Sequence, residues 1–178
     1  RLVSLGPLDC RMQRALDRIR TSGGEEPHLL ALHQAVRGTG WAPVQGGRPV
    51  PAGRGAAFRP GALHLVVHAT DEPIYDDIPN SPSHRRTAAA FTEAQVKHVG
   101  IHALDVNSTP ELERVNPSPT RRSLDAFSLA TGSVAPAQGL DCSGDDQADL
   151  APGAPLTCSF GGLVGVQLGT NSQVSLGR

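Results

Sequence analysis

Ala62-Leu63-His64-Leu65-Val66-Val67-His68-Ala69-Thr70 and, after one intervening helix, His98-Val99-Gly100-Ile101-His102-Ala103-Leu104 are the two stretches whose reading decides the fold. Both runs are short and almost continuously apolar, the pattern of strands covered by helices on both faces. Between them a loop through Pro79, Ser81 and Pro82 leads into a helix expected over residues 84–95, whose alanines and Phe91 suit close packing on a sheet. Strand, helix, strand in that order argues for a right-handed crossover between parallel neighbours. The expected class is therefore α/β, a mostly parallel sheet flanked by helices, with 62–70 and 98–104 as adjacent buried strands.

Towards the N-terminus, Leu2-Val3-Ser4-Leu5 reads as an opening strand, and Leu8, Met12, Ala15, Leu16 and Ile19 recur at helical spacing. Ser22-Gly23-Gly24-Glu25-Glu26-Pro27 breaks that helix, and Pro27 suits the first turn of a second one carrying Leu29, Leu32, His33 and Val36 on one face. Residues 46–61 are rich in Gly, Pro and Arg without periodicity and read as a mobile surface loop. Towards the C-terminus a helix is expected over 121–130, stopped at Thr131-Gly132. Periodicity then fails through an insert spanning 135–160, and 161–168 reads either as an edge strand or as the lead into a further helix. The whole, 1–178, is expected to be one domain, opening on Arg1 rather than Met and truncated at both ends.

Composition narrows the function classes. Sixteen basic against seventeen acidic residues leave a formal net charge of -1, so no global field favours nucleic acid. Only 3% of residues are aromatic, too few for a base-stacking platform. No stretch reaches the roughly 20 apolar residues of a membrane span, so no membrane insertion by this segment is expected. The sequence holds no Gly-x-Ser-x-Gly elbow, phosphate-binding Gly-Lys loop or His-Glu-x-x-His motif, and no catalytic residue is expected. Within one extended strand, His64 and His68, or His98 and His102, lie roughly 13 Å apart, too far to share one metal. Core or sheet-end histidines are the expected reading.

Taken in order, Ser22-Gly23-Gly24-Glu25-Glu26-Pro27 before a helix and Trp41, Leu65-Val66-Val67-His68-Ala69-Thr70-Asp71-Glu72 at a strand end, His98-Val99-Gly100-Ile101-His102-Ala103 after an Ala-rich helix, and Leu129-Ala130-Thr131-Gly132 resemble the middle of a von Willebrand factor type A domain, most closely the version in integrin β subunits. The resemblance covers about residues 1–132. It implies a mostly parallel sheet flanked by helices and adhesion to a protein ligand of unknown identity, on a secreted or cell-surface protein. It also implies a divalent cation, Mg²⁺ or Ca²⁺, held by three loops at the carboxyl ends of the strands, where Asp71 matches the third-loop aspartate and Glu25 and Glu26 lie in the second loop. The first loop of that family, Asp-x-Ser-x-Ser, is absent, and His28 stands where integrin β subunits carry a liganding glutamate. Cation dependence is thus expected of a longer parent rather than of these residues alone.

A second signal lies in the insert. Asp141, Ser143, Asp145 and Asp149 place oxygens at positions one, three, five and nine of a short loop, a spacing that can wrap Ca²⁺. Asp146 occupies the sixth position, where glycine normally allows the sharp turn, and no glutamate follows at the twelfth. Without a metal the same residues are an acidic surface loop. Cys142 and Cys158 flank this segment and are expected to bridge in an oxidising compartment, while Cys10 reads as a buried, inert thiol. Two functions follow as expectations: an adhesion or ligand-binding module, or a noncatalytic structural domain held by a loop-bound calcium and a disulfide.

Overall fold

The computed structural model describes residues 27–42, 49–75, 80–104 and 108–160. Their order is α1 (His28–Arg37), β1 (His64–Thr70), α2 (His84–Glu93), β2 (Val96–Ala103), α3 (Pro110–Val115), α4 (Pro119–Ala130) and β3 (Thr157–Phe160). The strands form one sheet in the order β1-β2-β3, with both pairs parallel. The α/β class and the parallel pairing of the two long apolar runs are as expected. The third strand was not foreseen: Thr157-Cys158-Ser159-Phe160 is too short and mixed to stand out, and it lies inside the segment assigned to the insert. The opening strand, the first expected helix, Cys10 and residues 161–168 lie outside the described residues.

Local chemistry sets the helix ends. Gly38, at φ 59°, closes α1 in the left-handed region, donating to the carbonyl of Gln34. The hydroxyl of Ser83 accepts from Arg86 N at the start of α2, and Ser118 does the same for Arg121 N at the start of α4, where proline takes the first turn. Leu29, Leu32, Ala88, Phe91, Val96 and Phe127 form the main core between the helices and one sheet face, with Phe91 and Phe127 edge to face at 5.3 Å. Gly100 lets α4 come close to β2, because a Cβ there would lie 3.2 Å from Leu124 Cβ and from Thr157 Oγ1.

The expectation that β1 is covered on both faces is corrected. His64, Val66 and His68 turn inward, whereas Leu65 and Val67 are 43% and 55% exposed. Apolarity alone points to the wrong face here, since the outward alternation, Leu63, Leu65, Val67 and Ala69, is more hydrophobic than the inward one, His64, Val66, His68 and Thr70.

Two further segments are more ordered than their composition implies. In the described part of the 46–61 loop, Val50 exchanges both backbone hydrogen bonds with Trp41, at 2.7 and 2.8 Å, and Gly53 and Ala56 donate to the carbonyls of Gly38 and Ala35. Those four bonds pin to the end of α1 a loop that composition had marked as mobile. The insert likewise has a small core of its own, in which Ala135, Leu150 and Cys158 pack with Leu140, Leu156 and Phe160. Cys142 and Cys158 are joined, tying the insert to β3.

Candidate functional site

In an open parallel sheet the carboxyl ends of the strands face a crevice between the connecting loops. Here β1 delivers Asp71 to that edge and β2 delivers His102, and a cleft of about 370 Å³ opens there, lined also by Ser108, Glu113, Ser118 and Thr120. The turn after β1 is tightened by Thr70, whose hydroxyl donates to the carbonyl of Glu72 and accepts from Glu72 N. Thr120 Oγ1 donates to the Asp71 carbonyl at 3.0 Å, fixing the backbone of Asp71 against the first turn of α4.

His102 and Glu113 are the buried pair of the cleft, at 3% and 4% exposure. Glu113 Oε2 lies 3.6 Å from His102 Nδ1 and accepts the Ser118 backbone N–H at 3.0 Å. The other ring nitrogen, Nε2, is 3.5 Å from Ser118 Oγ. Behind the ring, Ser159 Oγ lies 3.5 Å from Nδ1 and accepts from Arg121, whose Nε donates to both carboxylate oxygens of Asp125 at 3.0 Å. Burial lowers the His102 pKa below its ordinary 6.5, Glu113 opposing and Arg121 assisting, which makes the neutral ring the resting form near neutrality.

A second polar system runs through the core. His28 Nδ1 lies 3.0 Å from His68 Nε2, His68 Nδ1 lies 3.3 Å from His98 Nε2, and His98 Nδ1 lies 2.9 Å from Ser128 Oγ. Ser128 donates to the Leu156 carbonyl, leaving its lone pairs to accept from His98. Each of the three imidazoles then carries its proton on Nδ1, and His68 and His98 accept at Nε2. Burial foremost, then the neighbouring imidazoles, lowers His68 to about 4 and His98 to about 3. The intrastrand spacing correctly separated His64 from His68 and His98 from His102; the parallel register, which pairs Val66 with His98 and His68 with Gly100, is what brings His68 and His98 together.

Of the site residues read from sequence, Asp71 stands on the rim of the cleft, and Glu25 and Glu26 lie outside the described residues. The acidic loop folds on itself. Asp141 accepts from Gly144 N, Asp146 N and Ser143 Oγ, Asp145 from Gln147 N, and Asp149 from the backbone N–H of Cys142 and Ser143. The hydrogen bond from Gly144 is the main reason the Asp141 carboxyl titrates below its usual range. Asp146, at φ 66°, adopts the left-handed turn that its glycine-like position demands. Among the described residues no group of three or more His, Cys, Asp or Glu side chains is placed to hold a metal ion.

His102, Glu113 and Ser118 were not singled out for this edge by sequence reading. The available signal was Pro110 and Pro119 directly after Thr109 and Ser118, two helix starts that bring their caps to the end of β2.

Fold and cleft together define an α/β domain with a polar site at the carboxyl edge of a parallel sheet. No family model matches the chain, and neither a curated protein nor a solved structure matches it.

Proposed function

We propose that the chain is a ligand-binding module of the von Willebrand type A kind, from a secreted or cell-surface protein, whose protein ligand docks at the carboxyl-edge cleft. The observation that carries this reading is the position of Asp71, directly after β1 and on the rim of the cleft, where the family resemblance puts its third-loop carboxylate. The joined Cys142 and Cys158 support an oxidising compartment.

The described residues do not fit a resident divalent cation. Asp71 supplies one carboxylate, Glu113 faces His102, and no third donor converges on them. A Mg²⁺ or Ca²⁺ at this edge needs oxygen ligands from elsewhere, and Glu25 and Glu26 are the proposed source. The test is calorimetric titration of the full-length protein with Mg²⁺ and with Ca²⁺, repeated on Asp71→Ala. Saturable heat that disappears in the variant supports the cation-dependent site, and its absence in the wild type overturns it.

The alternative is a noncatalytic structural domain. The disulfide favours it by tying the insert to β3, and so does the acidic loop, in which Asp141 and Asp149 accept backbone N–H groups and hold the turn closed.

A further inference from the structure

We propose that the same cleft is an acyl-transfer site for small uncharged or cationic esters, with Ser118 as nucleophile, His102 as general base and Glu113 as the positioning residue. This goes beyond the binding reading and does not depend on it. The three side chains come from α3, β2 and the cap of α4, and they meet in one cleft. Ser118 Oγ to His102 Nε2 is 3.5 Å and His102 Nδ1 to Glu113 Oε2 is 3.6 Å, at the long end of what a ligand-free site shows before substrate draws it together.

The tautomer follows from the surroundings. The Glu113 carboxylate beside Nδ1 holds the ring proton there, which leaves the Nε2 lone pair directed at the serine hydroxyl. A hydroxyl has one donor and two acceptor positions, so Ser118 Oγ can accept from Arg121 N, as it does, and still offer its proton to His102. The acyl oxygen then lies towards the first turn of α4, where the positive end of the helix dipole favours developing negative charge; Pro119 has no N–H, and the amides of Arg121 and Arg122 already donate to Ser118. The carboxylates of Asp71 and Glu113 in the cleft disfavour an anionic substrate, and a volume near 370 Å³ sets a small acyl group.

The chemistry balances with water alone. Ser118 Oγ bonds to the ester carbonyl carbon while its proton passes to His102 Nε2, and Glu113 stabilises the imidazolium. Collapse of the tetrahedral intermediate breaks the bond to the leaving alcohol, which departs with that proton, and the acyl group stays on Ser118. Water attacks the acyl carbon, giving a proton to Nε2; the bond to Oγ breaks, Oγ regains the proton, and a carboxylic acid leaves.

The experiment uses p-nitrophenyl acetate hydrolysis and a fluorophosphonate probe, with peptide mapping to locate the label. The label is expected on Ser118, and His102→Gln is expected to cut its rate by roughly 100-fold or more. Ser118→Asn abolishes labelling and hydrolysis while keeping a good helix cap, which separates loss of the nucleophile from unfolding. Glu113→Gln lowers the rate and Glu113→Asp restores part of it. The rate falls on the acid side with a midpoint below the ordinary histidine value of about 6.5 while circular dichroism still shows the folded protein, a profile that a merely structural His102 would not impose. A probe that leaves Ser118 unlabelled, or a Ser118→Asn protein that hydrolyses ester like wild type, overturns the proposal. Neither result touches Asp71-dependent calorimetric binding, so the two readings fail separately.

Discussion

Acid should unfold this domain through the His28, His68, His98 chain. In the neutral state every link is one donor meeting one acceptor, ending on Ser128 and the Leu156 carbonyl. Protonating His68 puts a second N–H on Nε2, facing the Nδ1–H of His28, and places a cation beside His98, which is itself walled by Phe91 and Phe127. The titratable groups facing the pair are His28 from α1 and His84 from α2, and both oppose added positive charge. Because the folded pKa values, about 4 and about 3, lie below the unfolded value of 6.5, the unfolded chain binds more protons throughout the interval between them. The stabilisation is therefore complete above about pH 6.5 and is lost as the pH falls.

At pH 5 both rings are still neutral in the folded protein, while each is largely charged in the unfolded chain. Each histidine then contributes about 2 kcal/mol of lost stability relative to pH 7.5, about 4 kcal/mol together. The two contributions add at this pH because their mutual repulsion acts only once one ring is charged in the native state. A loss of that size is comparable with the whole stability of a marginal domain, about 5 kcal/mol. Urea titrations at pH 7.5, 6 and 5, followed by circular dichroism, should show the midpoint falling steeply across the series. The double variant His68→Gln, His98→Gln should start less stable but lose about 4 kcal/mol less over the same interval. A wild-type stability that is flat between pH 7.5 and 5, or a variant with the wild-type slope, refutes the reasoning.

Reducing the Cys142–Cys158 bond, which closes a separation of 16 residues, should cost about 3 kcal/mol of unfolding free energy by the loop-entropy relation, seen as a lower urea midpoint with reductant. In the same reduced protein, the paired amides of Leu140 and Leu150 should exchange hydrogen faster than those of α1. Gly100→Ala should destabilise by about 1–3 kcal/mol in thermal or urea melts, since the added methyl meets Leu124 and Thr157 at 3.2 Å.

What was legible in the sequence is what burial writes along one element. The stripe Leu29, Leu32, His33 gave α1, the alanines and Phe91 gave α2, and two apolar runs gave adjacent parallel strands. Asp71 at a strand end followed from the same reading. The missing parts depend on pairs of elements. Whether His68 meets His98 depends on strand register, and whether His102 meets Glu113 depends on how α3, a helix of six residues, leans on the sheet. Thr157–Phe160 forms a strand because β2 offers it an edge, a partner that its own four residues do not reveal.

The two polar systems share β1 and β2, and this couples the acid response to the cleft. His68 stands two residues before Thr70, and Thr70 shapes the turn that presents Asp71. His98 and His102 lie on the same face of β2, with only Gly100 between them on that face. Ser128, the end of the histidine chain, and Ser118, the cap facing His102, are the two ends of one helix, α4. Charging the core histidines therefore strains the strands and the helix that hold Asp71, His102 and Ser118 in place. Because the core pair titrates near 4 and 3, near neutrality the cleft keeps its geometry. It should lose that geometry only together with the fold, so loss of ligand binding in acid should track the urea-unfolding profile. A binding loss that precedes any unfolding would place its cause in the cleft, where His102 is the titrating group with a lowered pKa.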